Sequence, residues 1–261
     1  MKPICLHDKN EIESFLRQNE ALHLYEIGDL DDFFWQYTTW YALKEQEQTK
    51  HLVLLYTGIT PPTLLALTEE PTGGINDLLQ SMLPLLPRQL YAHLSGNLAA
   101  TLETTYQVQP HGAHDKMTLM DRACLDAIDT SAVTPLTVGD RAELEAFYQY
   151  SYPGNWFDAR MLETGQYYGL RRGRVLASVA GIHVYSPKYK VATLGNIATH
   201  PDFRGQGLAS AVCARLCQAL LTTVATIGLN VKADNSSAIA CYQKLGFERV
   251  AEYGEYSLAL K

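Results

Sequence analysis

The sequence lacks several features that would place it in familiar classes of protein. Its 261 residues include only five cysteines, which are unevenly spaced, so a disulfide framework is not expected and a reducing compartment is. No apolar run approaches the roughly 20 residues of a membrane span, and residues 1–10 show no signal-peptide pattern. We therefore expect a cytoplasmic protein without a membrane partner.

Positive charge is also scarce, and the deficit lies in the first half of the chain. The net charge is −7, and residues 1–127 carry 17 acidic and 8 basic side chains, against 11 and 13 in residues 128–261. An acidic surface does not suit a polyanion, so we expect no nucleic-acid partner. The more basic second half suits a small anionic ligand.

Two common phosphate-binding motifs are missing as well. A P-loop needs a Gly-Lys pair, and the chain contains none. A dinucleotide-binding turn needs G-x-G-x-x-G, and Gly205 and Gly207 would supply two glycines, but Ser210 occupies the third position. Neither a P-loop nor a dinucleotide-binding fold is therefore favoured.

Residues 199–210 nevertheless predict an anion site. They follow an apolar segment, residues 191–198, and lead into a helical pattern that starts near Leu208. Gly205 and Gly207 let the backbone approach a ligand, and the free N–H groups of a first helical turn favour an anion. The guanidinium of Arg204 matches phosphate oxygens, so a phosphate or pyrophosphate is the expected ligand.

Two stretches in this half resemble motifs of the GNAT superfamily of N-acetyltransferases. Residues 204–209, Arg-Gly-Gln-Gly-Leu-Ala, match the pyrophosphate signature R-x-x-G-x-A of that superfamily. Residues 229–247 are similar to its next element, L-x-V-x-x-x-N-x-x-A-I-x-x-Y-x-K-x-G-F. The two motifs occur in the superfamily's order, and the resemblance extends over about residues 132–261.

The resemblance implies an α/β (α+β) fold, with a mixed, mostly antiparallel sheet flanked by helices. It implies acetyl-CoA as co-substrate, bound between two splayed strands without a metal, and Tyr242 as the acid that protonates the leaving thiolate. The residues implied in coenzyme binding are Ile197, Ala198, Thr199, Arg204, Gly205, Gln206, Gly207, Leu208, Ala209, Ser210 and Asn235.

The implied reaction is direct attack of a primary amine, on a small or amino-acid-like acceptor, on the acetyl thioester. The amine must lose a proton, yet residues 191–198 contain no carboxylate. His183, His200 and a water held by Asn196 are the nearest candidates for the base. This gap leaves open a non-catalytic acyl-CoA-binding or sensor protein, and a transferase of a longer acyl group also fits the motifs.

Other side chains have simpler interpretations beside the functional ones. Cys213 and Cys217, four residues apart on a predicted helix, resemble half a metal site, but no second pair follows, so buried thiols are expected. The aromatic segment 152–157, which includes Trp156 and Phe157, either lines an acceptor pocket or covers the core.

We predict two domains, residues 1–127 and residues 128–261, the second being the acetyl-CoA-binding catalytic domain. The first half carries no phosphate motif, but its predicted order of strands and helices echoes the second. Some members of the resembling superfamily, of the glycine N-acyltransferase type, carry a degenerate copy of the fold before the active one. Residues 1–127 are thus predicted to be a degenerate GNAT-like or substrate-side domain.

Overall fold

The computed structural model describes residues 3–69, 73–155 and 157–261, which divide into two compact units. Unit 1 comprises the described residues up to Lys116 together with Val231–Asp234 and Val250–Lys261. Unit 2 comprises Met117–Asn230 and Asn235–Arg249. The observed division thus differs from a single boundary at 127/128, because the last strand of the chain pairs with a strand of unit 1.

Twelve strands and eight α-helices are present in the described residues. The strands are β1 (Ile4–Leu6), β2 (Thr38–Glu45), β3 (Gln48–Tyr56), β4 (Thr63–Ala66), β5 (Gln89–Leu94), β6 (Tyr106–Leu119), β7 (Val133–Pro135), β8 (Tyr168–Arg172), β9 (Val175–Ser186), β10 (Val191–Thr199), β11 (Thr226–Lys232) and β12 (Phe247–Leu260).

The helices follow the same chain order. The α-helices are α1 (Lys9–Leu16), α2 (Leu24–Gly28), α3 (Asp32–Trp35), α4 (Gly73–Met82), α5 (Ala99–Leu102), α6 (Arg141–Ser151), α7 (Leu208–Leu220) and α8 (Ser236–Lys244). Short 3-10 helices cover Arg17–Asn19, Leu83–Leu85, Arg122–Ala127, Val138–Asp140, Ala159–Thr164 and Pro201–Phe203.

Unit 1 is built on a sheet with the strand order β1-β2-β3-β4-β5-β12-β6, in which β6 contributes its residues up to Lys116. From β1 to β12 the pairs are antiparallel except β4 with β5, which run parallel. Helix α4 covers this sheet because its apolar residues recur at helical spacing, and Ile75, Leu78, Leu79 and Met82 are all buried in the unit's main core.

Unit 2 has the strand order β11-β10-β9-β8-β7. Only β10 and β11 are parallel, and the other pairs are antiparallel. Helix α7 packs on β8, β9 and β10 and buries Cys213 and Cys217 completely. Burial raises the pKa of both thiols, so they are inert core residues.

The predicted fold class, a mixed and mostly antiparallel sheet with flanking helices, is confirmed. Within residues 3–69, 73–155 and 157–261, no group of three His, Cys, Asp or Glu side chains is arranged to hold a metal ion. In the same part of the chain, every helix is too short or too polar to cross a membrane.

Candidate active site

The parallel strands β10 and β11 separate along their length. Their register runs from Val191↔Thr226 to Leu194↔Leu229, whereas β10 continues to Thr199. The second half of β10 is therefore not paired with β11 in the described structure. Such a divergence leaves main-chain groups available to an extended, amide-bearing ligand.

A β-bulge interrupts β10 at this divergence. Against β9, the register passes from Gly195↔Gly181 to Ala198↔Val179, so three steps on β10 oppose two on β9. Asn196 lies in the bulge with a φ of +55°, which is unusual for a residue with a side chain. Because the bulge arises from the register with the partner strand, the alternation of residues along β10 alone does not reveal it.

The predicted pantetheine contacts, Ile197, Ala198 and Thr199, lie directly after the bulge. Ala198 and Thr199 pair again with β9, and Ser178 holds them through its hydroxyl, 3.1 Å from the Ala198 carbonyl and 2.9 Å from the Thr199 hydroxyl. Ile197 is half-buried. This end of β10 is thus anchored on its β9 side.

The predicted phosphate loop follows the 3-10 helix Pro201–Phe203. Gly205 and Gly207 have φ values of +75° and +74°, the left-handed region that side chains rarely adopt. A Cβ on either glycine would meet no atom within 4 Å, so the requirement for glycine is conformational. Gly207 is the N-cap of α7 and offers no side-chain cap, which leaves the first N–H groups of the helix without a side-chain partner of that kind.

Positive charge accumulates at this helix start. The first turn of α7 contains no acidic residue, and the guanidinium of Arg204 lies beside the loop. Arg204 Nε donates to the Thr199 carbonyl at 3.3 Å, and one of its terminal nitrogens donates to the Ser151 carbonyl at 3.4 Å. An arginine beside the positive end of a helix dipole, together with the free N–H groups of the first turn, suits an anion.

Helix α8 lies against the same loop. Asn235 caps it by accepting from the Ala238 N–H at 3.2 Å. Cys241 Sγ lies 3.3 Å from the hydroxyl of Ser210, in the first turn of α7. Tyr242, the next residue, is buried at 8% exposure, with its ring 6.2 Å from that of Phe247 in an edge-on arrangement.

A network of tyrosines surrounds the bulge. Tyr148 donates to the main-chain carbonyl of Asn196 at 2.7 Å, and Asn196 Nδ2 donates to the Tyr167 hydroxyl at 2.7 Å. Phe157 stacks near both rings, with centroid distances of 5.1 and 5.8 Å. Burial raises the pKa of both tyrosines, so they act as neutral donors. Trp156, in the predicted acceptor wall, lies outside the described residues.

Several polar atoms of unit 2 are buried and have no hydrogen-bond partner among the described residues. A buried polar group without a partner is costly, so each of these atoms is one that an ordered water or a bound polar ligand would satisfy. The atoms are Thr118 Oγ1, Ser151 Oγ, Asn155 Nδ2, Gln166 Oε1, Thr193 Oγ1 and Asn196 Oδ1.

The two candidate histidines occupy different surroundings. The ring of His183 lies against β10, where a Cβ on Gly195 would overlap it. His200 Nδ1 instead accepts from the Asp202 N–H at 3.3 Å, and its ring stacks on Tyr150 at 4.9 Å. His200 is therefore engaged in a turn, whereas His183 lies next to the strand that would face the substrate.

Comparison with known proteins shows what residues 132–247 are similar to. The sequence model of the acetyltransferase (GNAT) family matches residues 132–247. The [ribosomal protein bS18]-alanine N-acetyltransferase of Escherichia coli K12 is 49% identical over 57 residues, 22% of this chain. That match spans 38% of the relative's length.

Solved structures extend the likeness in fold to nearly the whole chain. An acetyltransferase of the GNAT family from Colwellia psychrerythraea aligns over 100% of both chains, with a TM-score of 0.57 and 12% identity. A tandem GNAT protein from the clavulanic acid biosynthesis pathway covers 98% of this chain and 97% of its own, with a TM-score of 0.56 and 15% identity. At these identities the likeness is one of fold alone.

Proposed function

We propose that this chain, whose residues 132–247 belong to the acetyltransferase (GNAT) family, moves an acetyl group from acetyl-CoA to a primary amine. The acceptor is a small or amino-acid-like molecule. The proposal rests on the start of α7, which has no side-chain cap and follows two glycines in left-handed conformations. It also rests on strands β10 and β11, which pair only over the first part of β10. This arrangement suits a long ligand with a pyrophosphate at one end and amides along its arm.

Each part of the ligand has a counterpart in unit 2. The N–H groups of Gly205, Gln206, Gly207, Leu208, Ala209 and Ser210, with the Arg204 guanidinium, are proposed to bind the pyrophosphate. The main chain of Ile197, Ala198 and Thr199 is proposed to bond the pantetheine amides. The capping bond engages the side-chain oxygen Oδ1 of Asn235, so Nδ2 is the side-chain atom that would contact the pantetheine arm.

Tyr242 is the proposed acid. The amine nitrogen attacks the thioester carbonyl carbon, the carbon–sulfur bond breaks, and the thiolate takes a proton from the Tyr242 hydroxyl while the amine loses one. A phenol suits this step because its ordinary pKa, about 10, keeps it protonated near neutral pH, so that it still has a proton to donate. His183, beside β10, is the better placed of the two candidate histidines to take the amine proton.

The acceptor side supports a polar substrate. The unpartnered atoms of Ser151, Asn155 and Asn196 provide hydrogen-bond donors and acceptors rather than an apolar slot. The name of the Escherichia coli relative specifies alanine as the residue that it acetylates. An amino-acid-like amine is therefore our proposed acceptor class.

A second candidate function rests on one observation, the absence of a carboxylate on β10. A protein that binds acyl-CoA without transferring the acyl group would keep the loop and need no base. Release of free thiol from acetyl-CoA, measured with a panel of primary amines, distinguishes the two. Parallel reactions with butyryl-CoA and palmitoyl-CoA define the acyl length.

Calorimetric titration with acetyl-CoA tests the site itself. We expect binding that weakens about tenfold or more in Arg204→Ala, since a hydrogen bond to a charged group contributes about 1.5–3 kcal/mol. Arg174→Ala, in the exposed turn between β8 and β9, is the matched control and should bind as the unaltered protein does. Equal affinity in Arg204→Ala would place the coenzyme elsewhere.

A further inference from the structure

Unit 1 contains buried and partly buried ionisable side chains that the proposed acetyl transfer does not use. We call His23, Glu26, His93, Lys116, Tyr253 and Glu255 the buried charge cluster, of which His93 and Glu255 are partly buried, each with a side chain 16% exposed. His23 and Glu26 come from α2 and the residue before it, and the other members come from β5, β6 and β12.

The strands present these side chains on one face of the sheet. Glu255 on β12 lies directly opposite His93 on β5 in the antiparallel register. The His93 and Tyr253 rings are 5.0 Å apart, and the Lys116 ammonium lies 5.5 Å from the centre of the Tyr253 ring. Because alternate residues of a strand share a face, Tyr253 and Glu255 project to the same side.

Glu255 is the member of the cluster whose carboxylate has partners within the protein. Its carboxylate accepts hydrogen bonds from the hydroxyls of Tyr91 and of Tyr253, the latter at 2.7 Å. His93 Nε2 and His114 Nε2 lie 3.6 and 3.5 Å from it. These partners lower the pKa of Glu255 although burial opposes the charge. Its oxygens are fully engaged within the protein.

Glu26 is the member of the cluster with a carboxylate oxygen that is unpartnered among the described residues. Its side chain is 3% exposed, and Oε1 lies 3.0 Å from His23 Nδ1. Oε2 is buried and has no hydrogen-bond partner in residues 3–69, 73–155 and 157–261. The charges of His23 and Lys116 lower the pKa of Glu26 against the effect of burial, so it carries a negative charge.

Lys116 supplies the positive charge of the cluster. It is 3% exposed, and burial lowers its pKa while Glu26 and Glu255 oppose that effect. Its ammonium lies 5.0 Å from the centre of the Tyr25 ring and 5.5 Å from that of Tyr253. Its ammonium thus lies over two aromatic rings and in the electrostatic field of the Glu26 and Glu255 carboxylates.

We propose that the buried charge cluster binds a small zwitterion of the amino-acid class, whose ammonium bonds Glu26 Oε2 and whose carboxylate bonds Lys116. An amine alone would leave Lys116 without an acceptor, and a carboxylate alone would leave Glu26 without a donor. A zwitterion satisfies both and adds no net charge to a buried region. Binding at this site does not require acetyl-CoA, so the proposal can be tested independently of the proposed acetyl transfer.

The test is calorimetric titration of the full chain with the twenty standard L-amino acids, in the absence of acetyl-CoA. We expect at least one to bind, and to bind at least tenfold more tightly than analogues that lack one charged group. For L-alanine these analogues are ethylamine and propionate. If no amino acid binds, or if the amine or the carboxylate alone binds as tightly, the proposal is overturned.

Two variants locate the binding. Glu26→Gln and Lys116→Met should each lose at least tenfold in affinity, because each removes one charge and keeps most of the side-chain volume. Glu103→Gln and Lys50→Met, on exposed positions of unit 1, should bind normally. Unchanged affinity in both cluster variants would overturn the assignment.

A measurement on the unaltered protein covers the case in which either variant does not fold. The imidazole NMR signals of His23 and His93 should shift during the titration and saturate at the concentrations that saturate the calorimetric signal. A bound amino acid that leaves both imidazoles unshifted binds elsewhere, and that result would overturn the proposal as well.

Discussion

The two proposed sites, one in each unit, would bind a charged group in different ways. Unit 2 presents main-chain N–H groups at the start of α7, behind glycines that hold left-handed conformations. Unit 1 instead buries the side chains Glu26, Lys116 and Glu255 among tyrosines and histidines. A main-chain site imposes residue types on consecutive positions and therefore leaves a motif, whereas a side-chain cluster collects single residues from distant segments.

The largest expected effect is on the stability of the protein, because the charged and polar side chains of the unit 1 cluster interact with one another. Glu255→Ala removes the acceptor of two tyrosine hydroxyls and the neighbour of His93, His114 and Lys116. We expect a loss of about 3 kcal/mol or more in the free energy of unfolding, because two hydrogen bonds to a charged acceptor are lost and each contributes about 1.5–3 kcal/mol. Glu248→Ala, on the exposed part of the same strand, should cost less than about 0.5 kcal/mol. Urea unfolding measures both, and equal losses would show that the cluster is not coupled.

The corresponding large effect in unit 2 should appear in catalysis. Tyr242→Phe keeps the buried ring against Phe247 and removes the proposed acid, so kcat should fall about 100-fold while the KM for acetyl-CoA changes little. Tyr150→Phe, on an exposed ring that stacks on His200, is the control and should retain its kcat. Steady-state assays of thiol release provide both constants, and an unaltered kcat would remove Tyr242 from the mechanism.

Unit 1 should also impose a pH dependence of stability. Burial lowers the pKa of His93 to about 4, from an ordinary 6.5. Between these values the unfolded chain binds a proton that the folded chain does not, so the free energy of unfolding falls as the pH falls. We expect a loss of about 3 kcal/mol from pH 7 to pH 4 that is due to this residue.

His93→Gln tests that slope. The variant should be less stable at pH 7 but should lose less of its stability toward pH 4, whereas His7→Gln, at an exposed position, should follow the unaltered protein. Urea unfolding at several pH values measures the slopes, and parallel curves for all three proteins would contradict a buried, neutral His93.

The sequence predicted the loop of unit 2 because its glycines and its N-cap residues act locally. Gly205, Gly207 and Asn235 have the conformations that their positions in the motifs imply. The bulge at Asn196 was missed because register depends on the partner strand. The roles of the coenzyme-binding residues and of Tyr242 stay predictions.

The buried charge cluster was missed for a related reason. Tyr91 and His93 lie two residues apart on β5, as Tyr253 and Glu255 do on β12. Polar side chains at every second position are typical of a strand with one solvated face. Helix α2 changes that outcome, since Tyr25 lies over Lys116 and covers the polar face. A single sequence does not show which helix covers which strand, so the burial of these charges became visible only in three dimensions.

The smallest predicted effect separates conformation from binding at the glycine loop. Gly207→Ala forces a side chain into a left-handed conformation, which costs about 1–2 kcal/mol. Because a Cβ there would meet no atom within 4 Å, the cost is one of backbone strain rather than of collision. The loop should relax away from its ligand-binding conformation, so acetyl-CoA affinity should fall about tenfold, as calorimetry would show.

Gly173→Ala provides a control with the same backbone penalty. Gly173 has a φ of +61° in the turn between β8 and β9, and a Cβ there also meets nothing within 4 Å. Both variants should lose similar amounts of stability, but only Gly207→Ala should lose affinity for acetyl-CoA. If both lose affinity equally, general destabilisation explains the effect. If neither does, the start of α7 is not the pyrophosphate site, and the contrast between a main-chain site in unit 2 and a side-chain site in unit 1 no longer holds.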